Sequence, residues 1–222
     1  MTNTHTFRPI GRISKWLVNW SYASIVLAVV YVMSAFILLY LFDDVNYEQN
    51  SFIFLEGQII LVIDIVSAII TLIWYYRANK NIHAFGAKEV TSPAMSVIWW
   101  FIPIAFFWKP YSVAQQIWKA SKPEIKLVEG TEWRKASGSN IVKAWWILGI
   151  LAILIRVLVG SFLAPAFGQM QFTPHYVEEP NFFSEGFLIL LTNIPGIVST
   201  VYFIRMIKQV AAWQGLKADI KS

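Results

Sequence analysis

Residues 74–123 read WYYRANKNIHAFGAKEVTSPAMSVIWWFIPIAFFWKPYSVAQQIWKASKP, and Pro93, Pro103 and Pro110 divide this stretch. Before the prolines an apolar run ends in Trp74, Tyr75 and Tyr76. Arg77 and Asn81 follow one turn apart on one face, because positions i and i+4 are neighbours on a helix. Gly86 reads as the helix stop. The apolar run from Pro93 to Trp108 has 16 residues, too few for a spanning helix of about 20. An interior proline loses a backbone hydrogen bond and clashes with the preceding turn. The expected structure is therefore a helix from about Pro93, a break from Pro103 to Lys109, and a second helix from Pro110 that Pro123 ends. In that second helix Val113, Ala114, Ile117 and Trp118 form an apolar face, and Ser112, Gln115, Gln116, Lys119 and Lys122 a polar one. Trp74 and Trp118 read as markers of the membrane–water interface.

Outward from this stretch, each side carries two long apolar runs, at 17–42 and 52–76 before it and at 141–164 and 186–210 after it. The first run is about 26 residues long, well beyond a signal-peptide core of about 7–15. The 222-residue chain is 57% hydrophobic and 14% charged, whereas a soluble domain carries about 25% charged residues. Absence of cysteine excludes disulfides, thiolate metal sites and cysteine nucleophiles. The expected fold is all-α: a single polytopic membrane domain with four transmembrane helices. Between helices two and three lie a re-entrant or interfacial segment and an amphipathic helix. Residues 1–16 form a basic N-terminus, 77–140 a central segment with a hydrophilic linker from Glu124 to Asn140, and 211–222 a short basic tail. Acidic turns are expected at 43–48 and 165–185.

Lys and Arg set orientation. With both termini and the central segment inside, every Lys and Arg except Arg156 is cytoplasmic. That distribution accounts for the net charge of +5 without nucleic acid, through topology and attraction to anionic lipid. It also disfavours a crossing by residues 93–108, which would carry the following lysines outside.

Two ionisable residues lie deep in apolar runs. Asp64 precedes Arg77 by 13 residues and Arg156 follows Lys143 by 13, so both lie about 20 Å from the same membrane face at 1.5 Å per residue. Thr192 and Asn193 fall at the same level. Buried charges need partners or water, so an Asp64–Arg156 pair is expected, either as a structural tie or as an ion, proton or substrate site. Asn193, Pro195 and Gly196 are expected to kink the fourth helix, the alternative being a break that frees carbonyls for a ligand. Arg77 with Asn81 suggests either a phosphate or headgroup site or an anchor for the central segment. No catalytic motif, metal-ligand spacing or phosphate-binding glycine loop occurs, so no catalytic residue, metal or cofactor is expected.

The pattern W-x-x-R-x-x-x-N-x-x-x-x-G, S-P, W-W-F-x-P-I-A, P-Y and W-x-A-S-x-P resembles the bacterial membrane-protein family of domain of unknown function 4328. It is carried by Trp74, Arg77, Asn81, Gly86, Ser92, Pro93, Trp99, Trp100, Phe101, Pro103, Ile104, Ala105, Pro110, Tyr111, Trp118, Ala120, Ser121 and Pro123. Phe106 stands where the family pattern has an Asn. The resemblance implies a multi-pass protein of the bacterial cytoplasmic membrane and no particular activity. Together these readings favour a non-enzymatic scaffold or accessory component that binds membrane lipid, other membrane proteins or a second copy of itself. A small transporter or channel using Asp64, Arg156, Thr192 and Asn193 is the alternative, and a membrane-embedded enzyme the second.

Overall fold

The computed structural model describes residues 6–41, 51–163 and 182–221. The acidic turn expected at 43–48 and most of the loop expected at 165–185 lie outside these residues. The described chain forms α1 (Gly11–Leu41), α2 (Ser51–Ala84), α3 (Pro93–Ile98), α4 (Pro103–Phe106), α5 (Lys109–Ser121), a 3-10 turn (Glu132–Lys135), α6 (Asn140–Leu158) continued by a π turn (Val159–Leu163), and α7 (Phe182–Lys221). Among the described residues there is no strand. Stretches of α1, α2, α6 and α7 are long and apolar enough to cross a membrane, at Gly11–Ile37, Gln58–Ala84, Asn140–Ser161 and Gly186–Ile220.

α1, α2 and α7 overrun their apolar runs, because polarity does not interrupt backbone hydrogen bonding, whereas α6 gives way to the π turn before its run ends. The overrun corrects one expectation: residues 211–221 are not a loose tail but the last turns of α7, with Gln214 wholly buried and Lys217 nearly so. At the end of α2 the stop falls where Gly86 foretold it. Gly86 adopts φ +102°, its N–H donates to the His83 carbonyl and the Ala87 N–H donates to the Ile82 carbonyl. This pair of reversed bonds around a left-handed glycine closes a helix C-terminus.

The middle segment divides as its prolines require, with one correction. Ser92 caps α3, accepting from the Met95 N–H, and Pro93 sits in its first turn. The helix ends at Ile98, before the break expected from Pro103 onward, and Pro103 opens a separate single turn. The restriction a proline places on its predecessor leaves Ile102 extended at φ −94°, ψ 109°, and between it and the helix end the chain makes tight turns, Trp100 N–H to Val97 and Phe101 N–H to Ile98. Pro110 then lies in the first turn of α5, where its missing N–H has no cost.

The principal packing runs α2 on α1, α1 on α7 and α7 on α6. The α6–α7 pair is drawn close at Gly149, where a Cβ would lie 3.2 Å from the Ser199 Oγ, and Ser199 donates to the Trp145 carbonyl at 2.9 Å. Small residues permit such approach between membrane helices. The fourth side, between α6 and α2, is closed only at the end of the bundle that holds the termini, where α3–α5 fold across it. The core gathers at that end around α5, whose Val113, Ala114, Ile117 and Trp118 are all buried. The apolar face read from the sequence is thus covered by protein. Farther along the bundle the helices present apolar side chains outward, among them Val26, Met33, Leu61, Ile69 and Leu154.

The hydrophilic linker is a built element. Glu132 accepts from the backbone N–H groups of Glu129 (2.7 Å), Gly130 (2.9 Å) and Val128 (3.0 Å). Those donors, the Glu129 N–H foremost, hold its carboxyl below the usual carboxylate range. Trp133 is buried and donates to the Lys88 carbonyl at 3.0 Å, and the Lys88 N–H donates to the Gly130 carbonyl.

Candidate functional site

Several of the motif residues, among them Asn81, Ser121 and Trp100, meet in two places at the closed end of the bundle. The first is a polar knot. Asn81 is buried, and its Oδ1 accepts from the Arg8 backbone N–H at 3.0 Å. Its Nδ2 donates to the Arg8 carbonyl (2.9 Å) and to Gln214 Oε1 (2.8 Å). Gln214 Nε2 in turn donates to the Ala78 carbonyl and to Ser121 Oγ, both at 3.0 Å. Lys217 Nζ donates to the carbonyls of Ala120 (2.8 Å), Lys122 (3.1 Å) and Ile125 (2.8 Å). A cation thus closes the C-terminus of α5, where the helix dipole favours positive charge, just before Pro123. Arg77, by contrast, is exposed. Arg77 and Asn81 therefore do not form a joint headgroup site, because every amide hydrogen of Asn81 is already committed. Asn79, wholly buried two residues before Asn81, has neither amide atom bonded to a described residue.

The second place is an aromatic floor. Trp100 packs edge-on against Tyr75 (5.3 Å), Trp146 (5.9 Å) and Phe106 (6.1 Å). Trp145 stacks on Phe203 at 5.2 Å, and the Trp146 indole donates to the Phe107 carbonyl at 2.9 Å. Trp99 lies under the Lys109 ammonium at 4.9 Å. Trp74 and Trp118 correct the interface expectation: both are buried, Trp74 donating to Ser14 Oγ at 2.9 Å and Trp118 packed on Trp213 at 4.7 Å. They lie where α1, α2, α5 and α7 converge, so protein covers them.

Above this floor, in the open side between α2 and α6, lies a cavity of about 380 Å³. Ala68, Thr71 and Leu72 of α2 wall one side and Gly149, Ile150 and Ile153 of α6 the other, with Trp100, Phe101, Phe106, Trp145, Trp146 and Phe203 beneath and behind. Thr71 turns its hydroxyl back to the Ser67 carbonyl (2.7 Å), which leaves its methyl for the wall. The buried Trp100 Nε1 has no hydrogen-bond partner among the described residues.

The intramembrane polar residues lie farther along. Arg156 Nε donates to the Thr192 carbonyl at 3.3 Å, and its guanidinium lies beside Gly196, just past Pro195. Thr192 and Asn193 bond mainly to their own helix, to Leu188 and Ile189 carbonyls. α7 continues as one helix through Pro195. Arg156 is near enough to act electrostatically on Asp64, but the two form no direct ion pair; among the described residues the ion pairs are Lys122–Glu124 and Arg134–Glu89. Both Asp64 and Arg156 are exposed on the helix surfaces. Matched depth therefore gave proximity without contact.

Four long apolar helices, closed at one end by a proline-divided cap, define a multi-pass α-helical membrane protein. The chain belongs to the family described as Domain of unknown function (DUF4328), whose model matches residues 43–212. Neither a curated protein nor a solved structure matches it.

Proposed function

We propose that this chain is a non-enzymatic component of the bacterial cytoplasmic membrane that takes a lipid acyl chain into the open side of its bundle. The observation that carries this reading is the cavity between α2 and α6. Its side walls come from segments long and apolar enough to cross a membrane, which supports an apolar medium at its mouth. Small and branched side chains on the walls and aromatic rings below suit an apolar occupant with few polar anchors. Partition of Lys and Arg supports a cytoplasmic position for both termini and the α3–α5 cap.

The test is photocrosslinking in nanodiscs with phosphatidylglycerol carrying a diazirine on its acyl chain. Labelling should concentrate on residues 68–72 and 149–153, and Ala68→Trp, which fills the groove from its exposed wall, should remove it. Label spread evenly along the outward side chains of α1 would refute the reading, and capture of a second polypeptide there would replace lipid by a protein partner. A second reading, a small transporter, draws on the exposure of Asp64 and Arg156 within spanning segments. It requires solute flux in liposomes that Asp64→Asn abolishes.

A further inference from the structure

A separate cavity of about 330 Å³ lies between α5 and the start of α6, lined by Tyr111, Gln115, Lys119, Gly138, Ser139, Asn140 and Lys143. Its hydrogen-bonding capacity is one-sided. Gln115 is fully engaged as a strut: its Oε1 accepts from the Ser139 N–H (2.9 Å), and its Nε2 donates to the Ser139 carbonyl (3.0 Å) and to Tyr111 Oη (3.2 Å). Tyr111 thus accepts from Gln115 and keeps its own hydroxyl proton to give. Ser139 is occupied as the cap of α6, accepting from the Val142 N–H at 3.3 Å, while the Asn140 and Ile141 N–H groups of that first turn meet no described acceptor. Lys119 and Lys143 approach from different helices, and neither has an ion pair among the described residues. No carboxylate lines the cavity.

We infer that this cavity binds a phosphate group. Two ammonium groups on separate helices, a phenolic O–H and the Asn140 amide all present donors, and the strut holds their backbones in place before any ligand arrives. A phosphate oxygen accepts several such charge-assisted bonds at once, and the positive end of α6 adds to the field. The lined volume leaves room for a group esterified to the phosphate. That phosphate comes either from an anionic lipid headgroup or from a soluble phosphate compound; the donor set is the same for both. Lys143 precedes Trp146, a residue of the acyl groove, by one turn of α6, yet the inference does not depend on that groove being filled.

The test is binding to the full chain in mild detergent, followed by thermophoresis, with dihexanoylphosphatidylglycerol first and inorganic phosphate second as the two probes. The expected result is saturable binding of at least one of the two, weakened about tenfold or more in Lys119→Gln/Lys143→Gln; the loss of two charge-assisted bonds suffices for this. Lys143→Gln alone, at an exposed position, should weaken binding without disturbing the fold. Lys126→Gln/Lys135→Gln removes the same charge from exposed linker positions and should bind as the parent does. Binding of phosphatidylglycerol without inorganic phosphate assigns the headgroup, and binding of inorganic phosphate assigns a soluble source. No binding of either, equal losses in the two double variants, or unchanged binding in the cavity variant overturns the inference. None of these results bears on labelling at 68–72, so the two sites fail or stand separately.

Discussion

Replacing Asn81 by Ala should destabilise the protein through a group 133 residues away in sequence. The substitution removes three hydrogen bonds, two to the Arg8 backbone and one to Gln214. Gln214 is wholly buried, so its Oε1 would be left without a donor, at about 1–3 kcal/mol for a stranded acceptor. The lost Arg8 bonds, at roughly 1 kcal/mol each, bring the expected cost to about 3–5 kcal/mol. Gln214→Ala should cost a similar amount, because it strands Asn81 Nδ2 and Ser121 Oγ. In the double variant the shared bond is lost only once and neither amide is stranded. Its cost should fall short of the sum of the singles by about 1–2 kcal/mol. Reversible denaturant titration in detergent micelles, read by tryptophan fluorescence, measures all three. Additivity within about 0.5 kcal/mol, or a cost for Asn81→Ala below that figure, would refute the knot.

Reporter fusions at residues 48, 130, 178 and 222 should read outside, inside, outside, inside; an outside reading at 130 would turn the 93–108 segment into a fifth span. Asp64→Asn and Arg156→Gln, measured by the same titration, should couple by less than about 1 kcal/mol, as for exposed charges not in direct contact; coupling of about 3 kcal/mol or more would reveal a buried pair. The Glu132 carboxyl has a folded-state pKa below its unfolded one. Its support of the 128–130 turn is therefore present above the ordinary glutamate range and lost as pH falls through the lowered folded value. Protection of the Val128, Glu129 and Gly130 amides, taken relative to the intrinsic exchange rate at each pH, should fall over that acid window in the parent and be low at every pH in Glu132→Ala.

The parts of this fold that sequence makes legible are those set within a turn or two of chain. Apolar run lengths gave four long helices, Gly86 gave the end of α2, and Pro93 and Pro110 gave the starts of α3 and α5. The break after Ile98 was misplaced, because tight turns at Trp100 and Phe101 lie between the helix end and the Ile102–Pro103 step. The polar knot was hidden for a different reason. Asn81, Ser121, Gln214 and Lys217 come from three distant helices, and nothing local distinguishes Gln214 or Lys217 from ordinary tail residues. The burial of Trp74 and Trp118 was hidden in the same way, since a tryptophan at the edge of an apolar run looks alike in core and interface. The linker's structure had a faint signal in Gly130 and Glu132, which only the three converging N–H groups make readable.

The long span of the polar knot also sets an order of events during synthesis. Asn81 and Ala78 emerge from the ribosome early, and their partner Gln214 follows only after α6 and most of α7 have been made. Until then Asn81 holds only the Arg8 backbone, one of its amide hydrogens lacks its Gln214 acceptor, and α5 lacks the ammonium that closes its end. A chain stalled before Gln214 would carry all its membrane-crossing segments and still lack the clasp that gathers them. The bonds that tie α2 and α5 to α7 are therefore the last of the fold to close.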